Sequence, residues 1–390
     1  MKKIIILTDN FFTKRDFDKH GVKKASQSFN TTVIDLTYLM NKRYYVEYFN
    51  KKIFYNDKSF KLSKIKTNDG LKKILSSLDD KKNKYYILDF LNTSKPITNY
   101  IRNTISLKSN TKLIKISQGR IPAAGLIEKL FFFNFKTNFI SKITKYFFSK
   151  IHAVDNYKYE SHNYDLHIIT SLMDEADLNK KDKKVNHIYS HSYDYDFFLK
   201  SKNDTKQKTT KKNYAVYLDE FMVGHPDFKK LKIKNPITKK IYNEEMSLFF
   251  KSFKKVTGMD IIVAQHPRKI FFEKNTKLKM WNQTPNLVKH SKFVLMHCST
   301  SASYGVLNNK PIIYLDSDNY SWLRPKIATF YNQTGGTKIN ISREFKKHLL
   351  QIDSNSVDSK KYNDYIANYI KHPKSQNSII DNLIKYIKKN

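Results

Sequence analysis

The sequence predicts an α/β protein of two Rossmann-like, doubly wound domains, and three observations carry that expectation. Through the first half, short apolar runs recur, each followed by a polar break and a longer Lys-rich stretch with helical spacing. Unalternating runs of this kind mark parallel strands covered on both faces. The stretch Ser201 to Lys212 then contains no apolar residue and reads as a linker. Beyond it the strand and helix signals resume more sharply. The expected organisation is a first domain over 1–200, a linker over 201–212 and a second domain over 213–390, with a ligand crevice between the domains.

Taken in order, the expected strands of the first domain are Lys3–Leu7, Thr32–Leu36, Tyr85–Phe90, Lys112–Ile116, Leu166–Thr170 and Asn186–Tyr189. Met1-Lys2-Lys3 ahead of Ile4-Ile5-Ile6-Leu7 imitates a signal peptide. The run ends at Thr8-Asp9-Asn10, short of the ~7–15 apolar residues such a segment needs, so it reads as a buried first strand. In the second domain Tyr214–Leu218 is a strand, and Asn235-Pro236 places a capping side chain and a proline at the head of a helix. That helix carries Tyr242, Met246, Phe249, Phe250, Phe253 and Val256 on one face and stops at Gly258. Strand Ile261–Ala264, a short helix capped by Thr284-Pro285, and strands Phe293–Met296 and Ile312–Leu315 follow. Ser342–Leu350, Tyr362–Ile370 and Ile379–Ile387 read as closing helices. No run reaches the roughly 18 apolar residues of a spanning helix.

Composition narrows the function classes. A single Cys excludes a disulfide framework, a Cys-rich zinc module and an iron–sulfur cluster, and points to a reducing compartment. The net charge of +37 raises nucleic acid or an anionic membrane as a partner. Lys, Asn, Ile, Phe and Tyr are abundant together and the Lys residues are scattered, as drift toward AT-rich codons produces, so part of the charge carries no function. No finger or RNA-binding signature is present, and no specific nucleic acid is expected. His187 with His191, and His290 with His297-Cys298, lack a complementary ligand set at a recognised spacing, so no metal and no resident cofactor are expected.

Two strand ends carry the chemistry. Ile261–Ala264 delivers Gln265-His266-Pro267-Arg268, where a histidine can donate to a phosphate and an arginine offers a fork of donors. The plain alternative is a His-Pro turn that ends a strand. Phe293–Met296 delivers His297-Cys298-Ser299-Thr300-Ser301-Ala302-Ser303 and turns into a helix. Free N–H groups and hydroxyls at such a turn suit a phosphate, though the same residues also serve as a simple cap.

These residues, together with Thr284-Pro285, Val288-Lys289-His290-Ser291-Lys292 and Asn309-Lys310-Pro311-Ile312-Ile313-Tyr314, resemble the carboxy-terminal domain of bacterial surface-polysaccharide glycosyltransferases of the GT-B fold. The resemblance is greatest to polysialyltransferases and capsule Kdo transferases, covers about residues 258–316 well, and is partly shared with the polyol-phosphate polymerases of teichoic acid synthesis. It implies a CMP-activated acidic sugar as donor substrate, a surface polysaccharide or lipo-oligosaccharide as acceptor, and a donor site on His266, Pro267, Ser299, Thr300 and Ser301, to which Arg268 is added for its fork of donors. A UDP-sugar enzyme, a CDP-polyol phosphotransferase, and a non-catalytic nucleic-acid or membrane-binding protein are the alternatives.

The family's acidic motif has no clear copy, Asp69-Gly70 being a weak echo. Transfer to a sugar hydroxyl needs a general base. Asp9, Asp219 and Glu220 are the candidates for catalysis, with Asp89 and Glu128 also near strand ends and Asp194 and Asp196 in the acidic run after Asn186–Tyr189. Solvated loop acids are the ordinary explanation of such clusters. Gly119 and Arg120 lie in a flexible loop suited to an acidic acceptor. Phe131 to Lys150 interleaves aromatics with Lys, either as a core helix or as a segment lying on an anionic bilayer, which makes an anionic membrane surface a candidate partner and a cytoplasmic, peripheral location the expectation.

Overall fold

In the computed structural model β1 (Lys2–Thr8), β2 (Asn30–Asp35), β3 (Lys61–Lys64), β4 (Lys84–Phe90), β5 (Thr111–Ile116), β6 (Leu166–Ile169) and β7 (Asn186–Tyr189) form one parallel sheet in the order β3-β2-β1-β4-β5-β6-β7. A second parallel sheet, β12-β11-β10-β8-β9, comprises β8 (Tyr214–Leu218), β9 (Asp260–Ala264), β10 (Phe293–Met296), β11 (Ile312–Asp316) and β12 (Thr337–Asn340). The structure describes residues 1–49, 55–91, 96–117, 120–122, 164–178, 182–203, 213–225, 228, 235, 237–266, 283–353 and 356–390.

Two strands escape the sequence reading for one reason. β3 (KLSK) and β12 (TKIN) are edge strands, half-exposed and carrying Lys. Edges tolerate and even favour such residues, because charge there discourages pairing with another chain. The central strands are the opposite case. Every residue of β8, β10 and β11 is buried, which is why their sequences read as plain apolar runs. The core is rich in tyrosine, and several of its buried hydroxyls are tied to backbone carbonyls. Tyr214 donates to Leu287 O at 2.8 Å and Tyr362 donates to Lys310 O at 2.6 Å.

The helix over Lys239–Thr257 buries Met246, Phe249 and Phe253 and ends at Gly258 in the left-handed region, as its spacing predicts. Its cap is Thr238, not Asn235. Asn235 is used elsewhere: its Nδ2 donates to Met222 O and Val223 O, and its Oδ1 accepts from Ile237 N. Thr284 likewise opens its helix as a first residue behind Gln283 rather than capping it. The closing helix expected from Ser342 begins only at Lys346.

The chain divides into two units at boundaries different from those expected. The described residues of the first unit are Met1–Arg120, 164–193 and Lys371–Asn390, and those of the second are 121–122 and Asp194–Ile370. Residues 371–390 therefore leave the second domain of the sequence reading. The helix Ile379–Lys389 buries Ile379, Leu383 and Ile387, Lys2 Nζ caps its end by donating to Ile387 O at 2.8 Å, and His372 N donates to Thr170 O. The polar stretch 201–212 is also not the junction between units, which falls at Tyr193 and Asp194 inside the helix Tyr193–Asn203. Ser201 to Asn203 complete that helix, and Ser201 is buried with Lys289 Nζ donating to its carbonyl at 2.9 Å. The rest of the stretch lies outside the described residues.

Candidate active site

Each sheet order contains a switch point. In the first unit the chain winds from β1 to β2 and β3, then returns to the other side of β1 for β4. In the second it goes from β8 to β9, then crosses to the other side of β8 for β10. Connections leaving the carboxyl ends of such neighbouring strands diverge and open a crevice for ligands. The loops at the second unit's switch are those after β8 and β10, which carry Asp219, Glu220 and His297 to Ser301.

Glu220 ties those two loops together. Its Oε1 accepts from His297 N at 2.9 Å and Cys298 N at 2.7 Å. Burial pushes this carboxyl above its usual range, against the pull of His297 and of the two amides. Asp219 is buried and its Oδ1 accepts from Phe221 N at 2.9 Å, starting a tight turn in which Phe221 takes a left-handed φ of 54°. Both candidate carboxylates are thus committed to loop geometry. His297 is fully buried, and its Nδ1 donates to Leu315 O at 2.6 Å. Among the described residues its Nε2 has no hydrogen-bond partner. Rings of Tyr217, Tyr242 and Tyr320 surround it, and burial holds the Cys298 thiol well above the ordinary range.

The hydroxyl cluster differs from its sequence reading. The amides of Ser301, Ala302, Ser303 and Tyr304 are occupied by Ser299 Oγ, Ser299 O, Thr300 O and Ser301 O. The following helix, Ala302–Leu307, is short. Beyond those four amides the loop presents its hydroxyls, with Ser299 and Ser301 half-buried and Thr300 exposed.

His266 stands half-buried after β9, while Pro267 and Arg268 lie outside the described residues. It shares the carboxyl edge with the hydroxyl cluster, but β8 runs between their strands, a separation of about 10 Å at two strand spacings. The β8 loop fills this gap and brings in His225, which sequence reading missed. Its ring centroid lies 5.2 Å from that of His266, and the Phe221 ring lies 6.1 Å from His266.

In the first unit Asp9 is buried at the end of β1, at the switch point, with Asn10 Nδ2 donating to it at 2.8 Å. Asp89, on the neighbouring β4, is neutralised: Arg102 Nε and Tyr164 Oη both donate to its Oδ2 at 2.7 Å, with both ionic partners buried. Arg120 pairs with Asp174 and Asp177, so its guanidinium is engaged within its own unit. Asp194 accepts from Tyr304 Oη at 3.1 Å. Asp69 sits in the first turn of the helix Asn68–Ser77. Gly119, Glu128 and the segment Phe131 to Lys150 lie outside the described residues. A further carboxyl, Asp35 at the end of β2, is pushed up to about 6 by burial; its signal in sequence was an acid closing an apolar run. Among the described residues no group of three His, Cys, Asp or Glu side chains could hold a metal ion, and no helix is long and apolar enough to cross a membrane.

No family model and no curated protein matches the chain. Among solved structures it is similar to UDP-GlcNAc 2-epimerase from Methanocaldococcus jannaschii, at 11% identity and a TM-score of 0.50 over 100% of both chains. It is also similar to two variants of the wall teichoic acid polymerase TagF. One matches at 11% identity and a TM-score of 0.52 over 99% of this chain and 89% of that chain, the other at 10% and 0.51 over 99% and 88%. Likeness at such low identity speaks for architecture, and with the two parallel sheets it gives the chain two Rossmann-like domains of GT-B type.

Proposed function

We propose that the chain is a glycosyltransferase that moves an acidic sugar of the sialic-acid or Kdo type from a CMP donor to a cell-surface glycan. The observation that carries this reading is the second unit's carboxyl edge, where His266 and the hydroxyls of Ser299, Thr300 and Ser301 follow the strands on either side of β8. Departure of CMP leaves charge on the phosphate, and donors fixed beforehand stabilise that charge without reorganising. The imidazole of His266 and the hydroxyl cluster supply such donors, and Arg268 joins them in this reading. Glu220 acts as a positioning residue for the hydroxyl loop, and Asp219 holds the preceding turn. The role of base falls to Asp9, the acid at the first unit's own switch point. Acceptor and membrane surface are the remaining partners in this reading, with the +37 charge favouring acidic forms of both.

The second reading, a UDP-sugar or CDP-polyol transferase, draws support from the likeness to TagF. Thermal stabilisation measured across CMP, UMP, UDP, GDP and CDP separates the two, since the preferred nucleotide stabilises by RT ln(1 + [L]/Kd). Preference for CMP supports the first reading; preference for UDP or CDP selects the second. In turnover, His266→Ala is expected to cost roughly 10²–10³ with the fold retained. A folded variant with undiminished activity would remove His266 from the site.

A further inference from the structure

We propose that His225 is a second imidazole of the donor-phosphate site, closing on the phosphate together with His266. The proposal rests on the reading above and adds a residue to it. The two rings meet edge to face with centroids 5.2 Å apart, so one N–H from each can reach a different oxygen of a single phosphate group. They come from the ends of adjacent strands, Leu218 of β8 pairing with Ala264 of β9, and both are half-buried rather than sealed in the core.

The intervening turn is built to hold that meeting. Asp219 Oδ1 accepts from Phe221 N, Phe221 is held at a positive φ, and Asn235 Nδ2 pins the carbonyls of Met222 and Val223. A side chain at position 224 would strike the Phe221 ring, its Cβ coming within 2.5 Å, so Gly224 lets the chain fold back closely enough for His225 to arrive. The Phe221 ring then lies 6.1 Å from His266 and 6.4 Å from His225, bracing both imidazoles.

The test measures binding of CMP and UDP by the full chain, each beside its nucleoside, cytidine or uridine, in wild type, His225→Ala, His225→Gln and His266→Ala. Each variant is first checked for an unchanged far-UV spectrum and melting curve. We expect His225→Ala to weaken the preferred nucleotide roughly tenfold while leaving the nucleoside unaffected, with His225→Gln intermediate. A variant carrying both His225→Ala and His266→Ala, measured alongside, should lose less than the two single losses combined, because both rings hold one group. Nucleotide affinity unchanged by His225→Ala but reduced by His266→Ala overturns the assignment of His225 and leaves the donor site standing. Equal loss of nucleotide and nucleoside marks His225 as purely structural and also overturns it. Absence of binding by any nucleotide to wild type defeats the transferase reading itself, and this proposal with it.

Discussion

Asp89 and Asp35 end strands of the same sheet, both out of contact with water, yet their surroundings differ. Asp89 is matched by Arg102 and Tyr164, whereas Asp35 has Oδ1 bonded to Thr37 N at 2.8 Å and an Oδ2 with no hydrogen-bond partner among the described residues. Removing one partner of a buried ion pair strands the other, so Arg102→Met is expected to cost about 3–5 kcal/mol in urea unfolding. An unchanged midpoint would contradict that. Asp35 behaves oppositely: its carboxyl titrates near 6 when folded and near 3.8 in the unfolded chain, because burial penalises the charge. The folded state then binds protons more readily, so this group's contribution to stability falls as pH climbs between those values. Asp35→Asn keeps an oxygen for Thr37 N and removes the charge. Its advantage over wild type should be absent below about pH 4 and grow to at most about 3 kcal/mol at pH 7. A pH-independent difference would refute the titration.

At the scale of elements, two glycines with positive φ separate conformational strain from collision. Gly258 ends the helix Lys239–Thr257 at φ 69° with nothing within 4 Å of an added Cβ, whereas at Gly336, φ 97°, that atom would lie 2.4 Å from Ile312 O. Gly258→Ala is expected to cost about 1 kcal/mol. Gly336→Ala, which must also move the backbone entering β12, should cost roughly 3 kcal/mol or more in the same denaturant titration. Comparable losses at both positions would mean that β12 yields easily. The Gly258 stop was legible in the sequence because a helix end is a local event, as were the buried strands YAVYL and FVLM. The strands KLSK and TKIN were not, since an edge strand needs few apolar residues. The site was legible to the same extent. His266 and the Ser-Thr-Ser run follow recognisable strands, but the bond from Glu220 to the His297 amide requires β8 to lie beside β10, and sheet order is written nowhere locally. The meeting of His225 with His266 depends likewise on one left-handed residue, Phe221.

For the whole molecule, the docking of residues 371–390 on the first unit is the feature with most reach. Asn382 Nδ2 donates to Tyr189 O at 3.1 Å, Ser190 Oγ to Asn377 O at 2.9 Å, and Lys84 Nζ to Asn390 O at 2.9 Å. Three buried aliphatic side chains join these bonds, each contributing about 1.5–3 kcal/mol. A chain ending at Ile370 should therefore show, by calorimetry, a lowered transition for the first unit and an unaltered one for the second. Two unaltered transitions would show the segment to be dispensable. Charge is the other property of the molecule as a whole: with +37, binding to anionic vesicles is expected to weaken as salt rises, and equal binding to neutral vesicles would exclude electrostatics as its cause. The docking of 371–390 also sets a timetable on the ribosome. The residues of the second unit all precede 371, so they have been polymerised while the first unit still awaits the helix Ile379–Lys389. The first unit is thus closed after the second, reversing the order in which domains of a nascent chain usually mature. During that interval the surface awaiting Ile379, Leu383 and Ile387 stays open to whatever chaperones attend the emerging chain.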